Sequence, residues 1–190
     1  MERYFLKVLQ TPTNECSDFQ RGCNEETLSR NLASFKKRRD VVGGDGNCCF
    51  RSIVRELHKC LSTASDTYAE FIKSIGLGIG EEEDTRHLRM LLCDEVQQNG
   101  QVYTDLLGIT NVQLDAELAS YRQRGFFDNN LADVAVKICS DILQIPIVVI
   151  TSYPQAAYMS FFPIVISVKE PIYQAFNHSC PGHYDATTGN

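Results

Sequence analysis

The chain has no Cys-x-x-Cys pair, no sustained basic patch, no apolar run long enough to span a bilayer and no proline- or glycine-rich stretch long enough to act as a linker. Each absence excludes something. Its eight cysteines, at positions 16, 23, 48, 49, 60, 93, 139 and 180, offer neither a zinc ribbon nor a thioredoxin-type redox motif. A formal net charge of −6 argues against nucleic acid as the main partner. The longest apolar runs, 145–150 and 161–166, fall far short of the roughly 20 residues of a membrane helix, so no membrane role is expected. Residues 1–7 are broken by charges where a signal peptide needs an apolar core. The expectation is a soluble cytoplasmic chain, with the nucleus or a host cell as other intracellular destinations, and with its thiols reduced.

What is present is a core-forming composition: 190 residues, 43% hydrophobic and 22% charged, with 12 Gly and 6 Pro. That suits one domain with an extension. We take residues 1–40 as a helical extension packed on a domain of residues 41–190. A first helix is expected over residues 24–38, capped by Asn24, with Glu25 and Glu26 in its first turn and an apolar stripe of Leu28, Leu32 and Phe35. Lys36-Lys37-Arg38-Arg39 then reads as cations opposing the helix dipole in preference to a nuclear-import signal. A second stripe, Phe50, Ile53, Val54, Leu57 and Leu61, follows a turn-rich loop, and further helices are expected near 66–75, 84–97, 112–124 and 130–143. From Ile145 the texture changes to short β-branched runs, 147–151, 163–168, 172–176 and 183–185, bounded by Pro, Ser, Asn or Gly. Helices followed by strands predict an α+β domain, its sheet packed against helices.

Cys48 enters a helix directly from Gly43-Gly44-Asp45-Gly46-Asn47. A helix N-terminus stabilises a thiolate through unpaired N–H groups and the dipole, and glycines let loop N–H groups converge on an oxyanion. Taken alone, Cys48 reads better as an ordinary buried thiol at a helix-starting turn. A thiolate catalyst also needs a base. Of the four histidines, His58 and His87 fall within helices, whereas His183 lies in Pro181-Gly182-His183-Tyr184-Asp185. Strand alternation there puts His183 and Asp185 on one side, the relation a base and its orienting acid require, although a polar strand end has the same pattern.

Together, Gly44-Asp45-Gly46-Asn47-Cys48-Cys49-Phe50-Arg51-Ser52 and His183-Tyr184-Asp185 resemble the ovarian-tumour (OTU) family of cysteine proteases. The two motifs stand 135 residues apart, in the family's order. Residues 129–151 are similar to the family's late helix and following core strand. The resemblance implies a small, mostly antiparallel sheet between helices and a thiol-dependent deubiquitinase. Such an enzyme hydrolyses the isopeptide or peptide bond after the C-terminal glycine of ubiquitin or a ubiquitin-like modifier. It further implies Cys48 as nucleophile, His183 as base and later acid, Asp185 as the residue that orients His183, and the backbone of Asp45, Gly46, Asn47 and Cys48 as oxyanion hole. No metal or organic cofactor is implied, the partners are ubiquitin or polyubiquitin, and a monomer is expected. Two departures stand out: Cys49 where the family more often has leucine, and Phe126-Phe127-Asp128 where many members have Trp-Gly.

Other readings fit less of the chain. A catalytically silent ubiquitin-binding domain has no physical need for Cys48, His183 and Asp185 together. Zinc on His178, Cys180 and His183 lacks a second ligand pair. Gly43-Gly44-Asp45-Gly46 lacks the Lys-Ser/Thr ending of a phosphate loop, and Gly76-Leu77-Gly78-Ile79-Gly80, which follows no expected strand, reads as a mobile loop. Glu81-Glu82-Glu83-Asp84 could face a basic peptide, but the dipole of the helix it opens already accounts for it.

Overall fold

The computed structural model describes residues 18–123, 125–127, 129–179 and 182–189. The expectations for residues 1–17, and those touching Arg124, Asp128, Cys180 and Pro181, lie outside these. In chain order the elements are α1 (Asp18–Ser34), β1 (Lys37–Asp40), α2 (Cys48–Leu61), α3 (Asp66–Ser74), α4 (Glu81–Gln98), α5 (Gly100–Leu107), α6 (Asn111–Tyr121), α7 (Asn130–Leu143), β2 (Ile147–Thr151), β3 (Tyr158–Phe161), β4 (Ile172–Asn177) and β5 (His183–Gly189).

Local chemistry accounts for most helix starts. Ser65 caps α3 by accepting from the Tyr68 N–H, Thr110 and Gln113 form a reciprocal capping box on α6, and Asn129 caps α7 by accepting from Leu131 N–H. Four acids occupy the first turn of α4, at the positive end of its dipole. Helix α2 is held by its apolar stripe, with Phe50, Ile53, Val54 and Leu57 all buried.

The five strands form one sheet in the order β1-β5-β4-β2-β3, antiparallel except for the β4–β2 pair. This is an α+β fold with a mostly antiparallel sheet between helices, as expected. Alternation along β2 divides the core: Ile147 and Val149 join the large cluster with α2, α4 and α7, while Val148 and Ile150 meet Leu28 and Leu32 of α1 on the opposite face.

Three local expectations are corrected. The first helix begins before Asn24, which lies inside α1 with its amide donating to Ser179 Oγ at 3.1 Å, and it ends at Ser34. Lys36 takes a left-handed φ of 54° that reverses the chain, so Lys37, Arg38 and Arg39 belong to edge strand β1 and not to a helix end. Residues 163–168 are a loop with Ile164, Val165 and Ile166 exposed. The strand pairing with β2 is instead β3, which the sequence reading missed, as it missed α5.

Helix α2 packs on β5 and β4, so its N-terminus and the start of β5 meet at one end of the sheet. Glu56 fixes this relation. Its buried carboxylate accepts from Thr187 N–H at 2.9 Å and Thr187 Oγ at 3.2 Å, and is paired with Lys59 at 2.8 Å. Gln174 of β4 adds two donations, to Cys49 O at 3.0 Å and Ser52 Oγ at 2.5 Å. Glu56→Ala leaves a buried N–H unsatisfied, and denaturant unfolding should show a loss of about 1–3 kcal/mol. A variant as stable as wild type would show that this clamp is not what holds α2 to β5.

Candidate active site

Residues 41–47 connect β1 to α2 and are gripped by two arginines. Arg51 holds Asp45 with two parallel bonds, 2.8 and 3.0 Å, and also reaches Gly43 O at 3.1 Å and Glu82 Oε2 at 3.1 Å. That pairing keeps the Asp45 carboxyl well below the usual range. Arg89, from α4, donates to Gly46 O at 2.7 Å and Asn47 Oδ1 at 2.9 Å, and to the carbonyls of Tyr121 and Phe126. Gly46 is required twice: its φ is +76°, and a Cβ there would lie 1.8 Å from Gly125 O, a backbone atom. Gly46→Ala should therefore displace the loop and remove reactivity at Cys48.

Cys48 is the first residue of α2 and only 6% exposed. Its N–H lies in the first turn, where the helix offers no acceptor. Asn47 N–H already donates to Asp45 Oδ1 at 3.2 Å, so of the four candidate oxyanion groups it is committed in this arrangement.

His183 opens β5. Its Nε2 lies 3.1 Å from Asp185 Oδ1, and Cys48 lies near enough to its ring to favour the protonated form. The Nδ1 and Cε1 edge faces Gly44, where a Cβ would stand 3.5–3.6 Å away, so any side chain longer than alanine's would crowd the imidazole. Asp185 is fully buried and accepts from Val42 N–H at 2.9 Å and from Arg39 Nε. Burial opposes its ionisation, but these donors together hold its carboxyl below the usual range. Bonding to Asp185 first, then to Cys48, pushes the His183 imidazole up to about 10. The structure thus brings Cys48, His183 and Asp185 into one chain of contacts.

The other cysteines differ. Cys49 is fully buried among core side chains and desolvation drives its thiol well above the ordinary range, with Cys139 adding to the effect. Burial also raises Cys60, Cys93 and Cys139. Of the residues weighed as zinc ligands, Cys180 lies outside the described residues and His183 is engaged as above. His178 bonds Ser152 Oγ at 2.6 Å and stacks on Tyr153 at 4.4 Å. No group of three or more His, Cys, Asp and Glu is placed to hold a metal among the described residues.

A cavity of about 720 Å³ opens between the loop and α4, bordered by Asn47, Ile79, Glu83, Arg86, Arg89 and Met90. Three of the acids at 81–84 meet basic partners: Glu81 pairs with Arg55, exposed Glu82 with Arg51, and buried Asp84 with His58. Asp84 also accepts from the N–H groups of Gly78 and Ile79, tying down the glycine-rich loop that the sequence suggested was mobile.

Sequence reasoning missed Arg89 and Arg39. Arg89 had a signal: it shares one helical face with Leu92, Cys93 and Val96, all buried, an odd place for a cation. Arg39 had none, because its partner Asp185 lies 146 residues away.

His183 should titrate far above the ordinary histidine value of about 6.5. Because the folded value is raised, its contribution to stability is complete below about pH 6.5 and disappears as pH climbs through about 10. Imidazole resonances followed by NMR should show this, and Asp185→Asn or Cys48→Ala should each move the midpoint down. A midpoint near 6.5 in wild type would contradict the geometry.

No family model and no curated protein sequence matches the chain. Among solved structures it is similar to the OTUD1 OTU domain, with a TM-score of 0.60 and 14% identity, over 87% of this chain and 95% of that one. At that identity the likeness speaks for the fold, and the fold is OTU-like, as the motifs around Cys48 and His183 implied.

Proposed function

We propose that this chain is a cysteine-type deubiquitinase, cleaving the isopeptide or peptide bond after the C-terminal glycine of ubiquitin or a ubiquitin-like modifier. The observation that carries the reading is the contact chain Cys48–His183–Asp185 at the N-terminus of α2, on an OTU-like fold. A protonated His183 beside Cys48 favours the thiolate–imidazolium pair. The thiolate attacks the glycine carbonyl, and the N–H of Cys48, with those of Asp45 and Gly46 in the preceding loop, stabilises the developing oxyanion. His183 then gives its proton to the leaving lysine amine, which leaves a thioester on Cys48. Water, deprotonated by His183, hydrolyses that ester. Asp185 holds the ring in place and balances its charge throughout. No metal or organic cofactor enters this scheme. The reduced thiol it needs suits a cytoplasmic site of action, and the proposal includes function as a monomer.

A ubiquitin probe with a C-terminal electrophile should label Cys48 by peptide mapping and leave buried Cys49 untouched. Di-ubiquitins of every linkage and ubiquitin-like modifiers should then reveal which substrate is cut. His183→Ala should lower the rate by about 10²–10⁴-fold, and Asp185→Asn, which keeps an acceptor, by less. Undiminished labelling in Cys48→Ala would refute the nucleophile assignment. Binding of ubiquitin with no labelling and no cleavage would mean a silent recognition domain.

A further inference from the structure

The Asp185 carboxylate is shared between two sides. Oδ1 accepts from His183 and Val42 N–H, while Oδ2 accepts from Arg39 Nε. Arg39 in turn reaches both oxygens of Glu25 on α1 through one terminal nitrogen, at 2.9 and 2.7 Å. Glu25 also accepts from Asn177 Nδ2 at 2.6 Å, at the end of β4 and directly opposite His183 in the β4–β5 ladder. Charges therefore alternate along a line of hydrogen bonds from α1 through β1 to β5: Glu25, Arg39, Asp185 and protonated His183, which faces the Cys48 thiol.

We propose that Arg39 and Glu25 are positioning residues of the catalytic site, Arg39 by fixing the Asp185 carboxylate that holds His183 and Glu25 by fixing and balancing Arg39. This rests on the catalytic reading of Cys48, His183 and Asp185. On it, α1 and β1 are part of the catalytic machinery and not an appendage to it.

The physical reason is twofold. A carboxylate's terminal torsion is broad, so a buried Asp185 bonded on one oxygen alone could rotate away from the imidazole; a donor on each oxygen defines its plane. The second reason is electrostatic. Arg39 offsets part of the negative charge that holds the proton on His183, and Glu25 offsets part of Arg39. The other ionisable groups nearby are accounted for: Cys48 of α2 faces His183 and favours its protonated form, Asp45 of the loop is paired with Arg51, and His178 beyond β4 is disfavoured as a cation by its burial.

Opposite signs follow for the two variants. Arg39→Gln keeps an N–H donor but removes a cation, so the His183 midpoint should rise by about half a unit to one unit. Glu25→Gln leaves Arg39 less balanced, so the midpoint should fall by a smaller amount. Arg39→Gln should also lower kcat roughly ten- to a hundred-fold with KM little changed, because it disturbs orientation and not modifier binding. Arg39→Lys, which restores the charge, should recover the wild-type midpoint. The experiment is NMR titration of His183 in the full chain for wild type, Arg39→Gln, Arg39→Lys and Glu25→Gln, with probe-labelling and turnover rates measured in parallel. Midpoints that stay put in both Gln variants, or move in the same direction, overturn the inference. Glu25 lies at the surface, so its variant remains informative if Arg39→Gln folds poorly. The titration needs no substrate: a wild type that never reacts with the probe defeats the catalytic reading, whereas unmoved midpoints in an active enzyme defeat only this one.

Discussion

Arg89, a residue only 2% exposed whose guanidinium bonds no carboxylate among the described residues, is the constraint around which the site is arranged. A buried charge of this kind is costly unless oxygens replace its water. Arg89 finds four: Gly46 O and Asn47 Oδ1 from the Cys48 loop, and the carbonyls of Tyr121 and Phe126. Its flat face lies over the Phe50 and Tyr121 rings, at 4.7 and 5.2 Å. Satisfying Arg89 therefore draws the loop, the end of α6 and the segment after it toward α4. The approach of Gly46 to Gly125 follows from that convergence, since no side chain fits between them. The match is incomplete, as the Arg89 Nε has no acceptor among the described residues.

The two departures from the family pattern take on meaning in this frame. Phe127 meets Phe50, Tyr121 and Tyr184 at ring separations of 5.8–6.0 Å, so it joins the first turn of α2 to the strand that carries His183. Phe126 supplies one of the oxygens on Arg89. Cys49 occupies a closed core position where a small apolar side chain suffices, and its carbonyl receives Gln174 from β4. These residues hold loop, helix and sheet together, and none of them takes the place of a reacting group.

What the sequence showed was local and periodic. The stripe from Phe50 to Leu57 and the glycines before it placed Cys48 at a helix start, and alternation across three residues put His183 beside Asp185, because each signal is complete within a few positions. Strand β1 was hidden for the opposite reason. Phe35 extends the spacing of Leu28 and Leu32, and four cations in a row look like a helix end, whereas the strand exists only because β5 pairs with it from Ala186 to Gly189. The run 163–168 erred the other way: β-branched residues suggest a strand, yet β2 already has β4 on one edge and β3 on the other. The run pairs with no strand and stays a loop, with Ile164, Val165 and Ile166 exposed.

The same contrast between local signal and long-range partner decides how the acids at 81–84 should be understood. Their position at a helix start satisfies the dipole whatever lies opposite, so sequence could not distinguish an internal tie from a substrate contact. In the structure Glu81, Glu82 and Asp84 answer Arg55, Arg51 and His58, all on α2, while Asp84 also gathers the N–H groups of the loop before it. Arg51 is the residue that holds Asp45, so α4 grips the Cys48 loop from two directions: through Glu82 and Arg51 on one side, and through Arg89 on the other. A basic peptide competing for Glu82 would have to loosen Arg51, and with it the loop that carries the nucleophile. Glu81, Glu82 and Asp84 are better suited to holding the site rigid than to reading a substrate.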